Sequence, residues 1–212
     1  MKLKFFLFSS FLLALISSQT PYITIYIESL CPDCTDFISN SFKEFYNLNI
    51  TNLATIEFIP FGNANETYNE SSGLYEFSCQ HGEKECYGNI IETCAINIMG
   101  KYLSSGLLIC IEENIFDYDK DFEKVLKNCT NDEQLSQQII DCANSKEGNT
   151  WEHHMAQKTE AHDYVPWVIV DGLHDIDAEN KILNNLTDYL CNLPGKTCNK
   201  KFKYYDERIP YF

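Results

Sequence analysis

Apolar residues follow two kinds of pattern along this chain, one typical of strands and one typical of helices. Residues 22–27 and 55–61 are apolar runs rich in β-branched and aromatic side chains, which predicts two strands. Between them, apolar residues recur at helical spacing from Phe37 to Phe45, which predicts a helix with one face packed in a core. The N-terminal part therefore predicts a β-α-β unit, followed by a polar loop over residues 62–67.

The middle of the chain, from about residue 77 to residue 149, is rich in cysteine, and its apolar residues mostly follow helical spacing. Examples are the run Ile90, Ile91, Cys94 and Ile98 and the run Leu135, Ile139 and Cys142. We therefore expect a helical insertion here, followed by an amphipathic helix over residues 151–162.

The C-terminal part returns to strand-like patterning. Residues 164–172 are mostly apolar, with Pro166 near their start, and Asp171-Gly172 is a hairpin turn signal. A final helix is predicted around a set of leucines and ends near Pro194-Gly195. The predicted order is β-α-β, insertion, α-β-β-α. It indicates the α/β class and a thioredoxin-like fold over residues 19–198, with a disulfide-rich helical insertion between its two halves.

Cys31 and Cys34 lie at the predicted junction of the first strand and the first helix. A C-x-x-C pair at such a junction is typical of a thioredoxin-type redox site. Unpaired backbone N–H groups and the helix dipole favour the thiolate there, whereas the carboxylate of Asp33 opposes it. An unperturbed thiol would be only about 1 in 3,000 ionised at pH 5. We therefore expect an accessible Cys31 with a depressed pKa.

Pro166 opens the late strand. In thioredoxin-like folds a proline at this place is cis and lies against the redox cysteines, and a cis X-Pro bond is uncommon. The sequence does not reveal the isomer of the Val165–Pro166 bond. The alternative is an ordinary proline at a strand edge.

The N-terminus predicts a secretory signal peptide over residues 1–18. Lys2 and Lys4 precede an apolar stretch from Phe5 to Ile16, and small residues follow. The stretch is too short for a membrane anchor, which needs about 20 apolar residues, so no membrane insertion is expected. A tail over residues 199–212 follows the predicted domain.

The formal net charge of the chain is −15, and loss of the leader would make it more negative because both charged leader residues are lysines. Such a charge argues against nucleic acids and anionic membranes as partners. A solvated acidic surface explains the charge, and adaptation to an acidic lumen is the alternative that charge alone does not exclude.

Ten cysteines in a chain with a leader imply disulfides. Besides the C-x-x-C pair, eight remain, which suggests four structural bridges. Cys191 and Cys198 flank a predicted turn and are expected to pair locally. The other six allow 15 connectivities. These six are Cys79, Cys86, Cys94, Cys110, Cys129 and Cys142.

Five N-x-S/T sequons fit a glycosylated protein of the secretory route, namely Asn49, Asn65, Asn69, Asn128 and Asn185. A zinc site is the alternative role for the cysteine-rich part, because His81 lies between Cys79 and Cys86. The spacing fits no common zinc pattern, so we expect no metal. His81 is expected to be structural or hydrogen-bonded, with a role beside the redox site left open.

The chain resembles the gamma-interferon-inducible lysosomal thiol reductases from about residue 22 to residue 198. Three segments carry the resemblance: Tyr26–Cys34, then Cys79–Cys86 with its Cys-Gln-His-Gly start and its continuation to Asn89 and Cys94, then Tyr164–Val168. The middle segment is the signature of that family. The tail from residue 199 is not covered.

This resemblance implies a soluble glycoprotein of the endosome or lysosome, or a secreted one, that reduces protein disulfides at acid pH. Cys31 would attack the substrate disulfide, Cys34 would resolve the mixed disulfide, and Val165 with Pro166 would hold the substrate strand. The expected partners are disulfide-bonded proteins and a small thiol as electron donor, without a bound cofactor. A secretory-pathway oxidase or isomerase and a non-catalytic, disulfide-stapled glycoprotein remain open alternatives.

Overall fold

A four-stranded sheet lies at the centre of the molecule. The computed structural model describes residues 20–196 and residue 198, so the predicted leader and the tail lie outside the described residues. The strand order is β2-β1-β5-β6, where β1 is Tyr22–Ile27, β2 is Thr55–Pro60, β5 is Trp167–Val170 and β6 is Leu173–His174. β1 is parallel to β2 and antiparallel to β5, and β5 is antiparallel to β6. The strands predicted over residues 22–27 and 55–61 are confirmed.

The connection from β1 to β2 is a continuous helical segment. It consists of α1 (Pro32–Phe37), a π-helical stretch (Ile38–Phe42) and α2 (Lys43–Asn47), and a short 3-10 turn precedes β2. The apolar face predicted for this segment is confirmed, since its members are almost completely buried in the core. These are Phe37, Ile38, Phe42 and Phe45.

A hairpin that the sequence did not predict follows β2. It consists of β3 (Asn65–Asn69) and β4 (Leu74–Ser78), which pair only with each other. The prediction of a polar loop over residues 62–67 is therefore wrong from Asn65 onward. The hairpin was missed because most of its side chains are polar and at least partly exposed, so no apolar alternation marks it. Asn149 anchors the hairpin, because its amide bonds both the N–H and the carbonyl of Tyr75.

The predicted helical middle is confirmed. Its helices pack around one another, and disulfides join α3 to α6 and α4 to α5. The helices are α3 (Glu83–Met99), α4 (Lys101–Asn114), α5 (Phe122–Thr130), α6 (Glu133–Ala143) and α7 (Lys146–Lys158).

The helix predicted over residues 151–162 begins and ends earlier than expected. α7 begins at Lys146, because the Ser145 hydroxyl accepts the N–H groups of Glu147 and Gly148 as an N-cap. The chain leaves the helix after Lys158, where the N–H of Glu160 donates to the Tyr26 hydroxyl on β1.

The C-terminal part follows the predicted order. Asp171 and Gly172 both adopt positive φ angles, of 50° and 82°, as a tight hairpin turn requires. α8 (Ile176–Cys191) then packs against the helical segment between β1 and β2. The α/β class and the element order are confirmed, and the narrower thioredoxin-like assignment stays a prediction with which the strand order agrees. Within the described residues, none of the helices combines the length and apolar character needed to cross a bilayer.

Candidate active site

Cys31 occupies the N-cap position of α1, directly after the loop that leaves β1. Its backbone is extended, with φ −77° and ψ 119°, and Pro32 takes the first helical position. The N–H of Cys34 points at the Cys31 sulfur at 3.4 Å, and the N–H of Thr35 bonds the Cys31 carbonyl at 3.0 Å. The first helical turn therefore places backbone N–H donors at the Cys31 sulfur, as the sequence suggested.

The pKa of Cys31 is lowered to about 7. The hydrogen bond from the Cys34 thiol is the largest cause, and the N–H groups of Cys34 and Asp33 add to it. Partial burial and the negative charge of Asp33 oppose the shift. The predicted depression of the Cys31 pKa, and the opposing effect of Asp33, are both confirmed.

Cys34 differs from Cys31 in burial and in ionisation. Both thiols are free, but Cys34 is 0% exposed whereas Cys31 is 6% exposed. Burial is the largest cause that raises the pKa of Cys34 well above its usual value, and the neighbouring Cys31 raises it further. Cys31 is thus the more ionised and the more accessible of the two sulfurs, although it is less exposed than the sequence suggested.

The segment around Pro166 lies directly against Cys31. The Val165–Pro166 bond is cis, and the Val165 carbonyl oxygen is 3.9 Å from the Cys31 sulfur. The structure therefore brings together Cys31, Cys34, Val165 and Pro166, although the sequence separates the two pairs by more than a hundred residues.

Glu179 on α8 fixes the segment that carries Pro166. Its buried carboxylate accepts the Tyr164 hydroxyl at 2.6 Å and the Val168 N–H at 2.8 Å, so it binds on both sides of the proline. The hydrogen bond to Glu179 raises the pKa of Tyr164 to about 12. The sequence pattern did not point to Glu179, because the prediction of this helix rested only on the leucines of its apolar face.

The Cys79–Cys86 ring, which is residues 79–86 closed by their disulfide, lies beside the loop that precedes Cys31. Residues of this ring and of α3 hold that loop: the Ser29 hydroxyl donates to the carbonyl of Glu85 at 3.1 Å, and the Ser29 N–H donates to Asn89 at 2.9 Å. Gly88 allows the close approach, because a Cβ at this position would lie 2.3 Å from the Ser29 hydroxyl. The segment that begins with Cys-Gln-His-Gly, together with the start of α3, thus contacts the redox loop through backbone and side-chain atoms.

His81 lies between two buried carboxylates. Its Nδ1 bonds Glu85 and is 4.0 Å from Glu28, whose other oxygen accepts the N–H of Asn63. The hydrogen-bonding role expected for His81 is therefore present. Burial, followed by the charge of Glu85, raises the pKa of Glu28 to about 7. Ligand atoms of the three side chains lie within 4.8 Å of one another, a spacing that could admit a cation, and the absence of a metal stays a prediction.

Three glutamates that the sequence analysis passed over are buried among the insertion helices. We call them the carboxyl core: Glu92 on α3, Glu112 on α4 and Glu152 on α7, which are 0%, 1% and 2% exposed. The Thr35 hydroxyl on α1 donates to Glu112 at 2.6 Å, which connects this group to the residue after Cys34. The available signal was weak: Glu92 follows Ile90 and Ile91 in an otherwise apolar stretch.

The remaining eight cysteines form four disulfides in the structure. Cys191 is joined to Cys198, the local pair that the sequence suggested. The six cysteines whose connectivity was open pair as Cys79–Cys86, Cys94–Cys142 and Cys110–Cys129.

The five sequon asparagines differ in exposure. Asn49, Asn65 and Asn128 are exposed, whereas Asn69 and Asn185 are partly buried. The Asn69 amide donates to Glu76, and the Asn185 carbonyl oxygen accepts the N–H of Asp188. Glycosylation therefore stays a prediction that the first three positions suit best.

Comparison with known proteins identifies relatives of this chain. The family model described as gamma interferon inducible lysosomal thiol reductase (GILT) matches residues 22–159. The chain is 33% identical over 178 residues to the gamma-interferon-inducible lysosomal thiol reductase of Carassius auratus, covering 81% of this chain and 67% of that protein. The mouse protein of the same name is 35% identical over 156 residues, covering 70% of this chain and 60% of its own length. A gamma-interferon-responsive lysosomal thiol protein of Arabidopsis thaliana is 30% identical over 181 residues, covering 82% and 72%.

Proposed function

Because this chain belongs to the gamma interferon inducible lysosomal thiol reductase family, we propose that it is a thiol-disulfide oxidoreductase that reduces disulfide bonds of proteins through Cys31 and Cys34. The single observation that carries the proposal is that two adjacent free thiols differ in their pKa and in their exposure. One sulfur has a lowered pKa and retains some exposure, whereas its neighbour is fully buried and keeps its proton.

The reaction proceeds in two exchanges. The Cys31 thiolate attacks one sulfur of the substrate disulfide, which breaks the substrate S–S bond and forms a mixed disulfide; the displaced thiolate takes a proton. Cys34 then loses its proton and attacks the Cys31 sulfur, which releases the second substrate thiol and leaves a Cys31–Cys34 disulfide. The substrate has gained two electrons. An external small thiol returns two electrons to the enzyme.

The segment with Val165 and Pro166 orients the substrate in this proposal. The Val165 carbonyl lies against the attacking sulfur, and Glu179 holds the segment on both sides of the proline. An extended substrate strand placed along this segment would present its disulfide to Cys31. Because Cys31 is only 6% exposed, a substrate disulfide must approach from one side, which limits the reaction to strands that fit this segment.

An endosomal or lysosomal site of action within the secretory pathway fits the chemistry of Cys31. With a pKa of about 7, roughly 1 in 100 of the Cys31 thiols is ionised at pH 5, some thirty times more than for an unperturbed thiol. The names of the relatives and the four structural disulfides support this compartment.

Two alternative functions make different predictions. An oxidase or isomerase would have a high reduction potential for the Cys31–Cys34 couple, whereas a reductase has a low one. A binding glycoprotein without redox chemistry would keep its ligand after Cys31→Ser and would show no exchange in either form.

Disulfide reduction by the purified protein from pH 4 to pH 8, with a small thiol as donor, tests the proposal. We expect Cys31→Ser to abolish reduction. We expect Cys34→Ser, a matched loss of one thiol, to accumulate the mixed disulfide on Cys31 instead. Reduction that survives in Cys31→Ser, or a mixed disulfide that forms at another cysteine, would contradict the assignment.

A further inference from the structure

Glu28, which directly follows β1, has one carboxylate oxygen without a partner. Its Oε1 accepts the N–H of Asn63 at 2.5 Å, whereas its Oε2 meets no hydrogen-bond donor in the part of the chain that the structure describes. The residue is only 1% exposed. A buried carboxylate oxygen without a partner is costly unless it gains a proton or a cation.

This free oxygen faces two further ligand atoms. The Nδ1 of His81 lies 4.0 Å from Glu28 Oε2, and Glu85 Oε2 bonds the same nitrogen. Ligand atoms of the three side chains lie within 4.8 Å of one another. His81 and Glu85 belong to the Cys79–Cys86 ring, whereas Glu28 approaches from the end of β1. The atoms of two separate segments therefore converge on one point.

Backbone contacts fix the outer oxygen of each carboxylate. The N–H of Asn63 bonds Glu28 Oε1, and the N–H of His81 bonds Glu85 Oε1 at 2.9 Å. Gly62 lets the chain lie directly against Glu28, because a Cβ at Gly62 would be 2.4 Å from Glu28 Cγ. Both Oε2 atoms are thereby held on the side of the imidazole, and such outer contacts are what orients the ligands of a metal ion.

One imidazole nitrogen and two carboxylate oxygens suit a divalent transition metal such as Zn²⁺, whereas Ca²⁺ takes about six or more oxygen ligands. We propose that Glu28, His81 and Glu85 form a binding site for one divalent transition-metal ion, and that Zn²⁺ fits it best. The side chain of His81 is 36% exposed, so the ion enters from that side and a water molecule completes the tetrahedron there.

The site needs only small movements to close on the ion. Bonds to Zn²⁺ of about 2.0–2.2 Å place tetrahedral ligand atoms about 3.4 Å apart. His81 Nδ1 therefore moves toward Glu28 Oε2 and away from Glu85 Oε2, by about 1 Å or less in each case. The ion replaces the proton that joins the imidazole to Glu85, and that proton passes to solvent.

A bound ion would connect the Cys79–Cys86 ring to the redox loop. The Cys31 N–H bonds the carbonyl of Glu28 at 3.2 Å, so an ion that holds Glu28 also holds the start of this loop. The cysteine spacing predicts no metal, but none of the ligands of this site is a cysteine. The ion would be structural, since none of its ligands is a reacting atom, and its binding does not require the proposed redox chemistry.

Calorimetric titration with Zn²⁺ at pH 7.5 tests the site. The protein is the whole chain without a histidine tag and with Cys31→Ser and Cys34→Ser, because free thiols bind zinc themselves. We expect one Zn²⁺ per chain. We expect Glu28→Gln, which keeps an oxygen for Asn63, and His81→Asn each to raise Kd by about tenfold or more.

His153 supplies the matched control. Its Nδ1 bonds the carboxylate of Glu66 at 2.8 Å, and the described residues place no third ligand atom close enough to complete a set of three with this pair. We expect His153→Asn to leave Kd unchanged. Failure to bind Zn²⁺, an unchanged Kd in Glu28→Gln, or equal losses in the His81 and His153 variants would overturn the proposal.

Denaturant unfolding with and without Zn²⁺ shows that each variant is folded and tests the site again. An ion that binds only the folded protein lowers the unfolding equilibrium constant by the factor 1 + [Zn²⁺]/Kd, which is about 100-fold at a free concentration of about 100 times Kd. We expect only about tenfold or less for Glu28→Gln at the same concentration. An unfolding constant that does not respond to Zn²⁺ would refute the site and would leave a proton on Glu28 as the answer to its burial.

Discussion

The Cys79–Cys86 ring and the carboxyl core show two ways in which one molecule buries acidic side chains. Glu85 of the ring and the neighbouring Glu28, which follows β1, have a histidine between them and accept backbone N–H groups. In the core, Glu92 and Glu112 have no ion-pair partner within the described residues, and burial raises the pKa of both carboxyls. The carboxylates at the ring thus have an imidazole and backbone N–H groups as neighbours, whereas the carboxyls of the core have mainly one another.

This difference indicates how an acidic chain can remain folded at acid pH. Most folds lose stability in acid because paired carboxylates become protonated. Here the deepest carboxyls require protons, so acid favours the folded state of the insertion. Adaptation to an acidic lumen, which the net charge left open, stays a prediction.

The largest expected difference between the two regions concerns their disulfides. Cys94–Cys142 ties α3 to α6 across a separation of 48 residues, whereas Cys79–Cys86 spans only 7. Loop entropy predicts that replacing both cysteines by serine costs about 4 kcal/mol for the first bridge and about 2.5 kcal/mol for the second. Denaturant unfolding measures both. We expect the second variant, although more stable, to slow alkylation of Cys31 the more, because the ring contacts the redox loop.

A reversed order of stability, or unchanged Cys31 alkylation in the ring variant, would contradict this division of roles. The matched variant lacking Cys110–Cys129, with a separation of 19, should lose an intermediate amount of stability and leave Cys31 alkylation unchanged.

The next largest effect concerns pH. Burial raises the pKa of Glu152 to about 8, so its contribution to stability is present below pH 4.5 and is lost as the pH rises toward 8. We expect it to reduce the free energy of unfolding by an amount on the order of 3 kcal/mol between pH 4.5 and pH 7. Glu152→Gln should remove this slope, as measured by unfolding at several pH values. If the slope is the same in the variant, Glu152 is ionised in the folded protein.

The smallest effect is expected in the ring. His81→Asn removes the imidazole that lies between Glu28 and Glu85, but its side chain is 36% exposed, so solvent limits the loss of stability to about 1 kcal/mol. We expect slower alkylation of Cys31 as well, because Glu28 precedes the redox loop. His154→Asn is the control, since His154 is exposed on α7. Equal effects of both substitutions would show that His81 has no special role.

The features that the sequence predicted are those that depend on residues close together in the chain. The C-x-x-C pair, the late proline and the Asp171-Gly172 turn act through their immediate neighbours, so their spacing was sufficient. The β3–β4 hairpin was missed because polar, partly exposed strands carry no apolar alternation. The pairing of the six middle cysteines depends on which helices meet, and spacing does not reveal that.

The carboxyl core was missed for a related reason. A glutamate on a helix normally faces water. The sequence pattern around it looks the same when the side chain faces another helix instead. Only the packing of α3, α4 and α7 shows that these side chains are enclosed. The position of Thr35 beside Glu112 likewise results from a contact between residues 77 positions apart.

The close packing around Gly88 restricts which residues this position can accept. Without a side chain, it lets the backbone of α3 lie against Ser29, and even a methyl group would also meet the ring of Phe122 at 2.2 Å. Neither neighbour has room to retreat, since Ser29 and Phe122 are both buried. An alanine here would therefore displace the loop that carries Cys31. The missing side chain of Gly88 thus sets how closely the segment that begins at Cys79 can approach the redox cysteines.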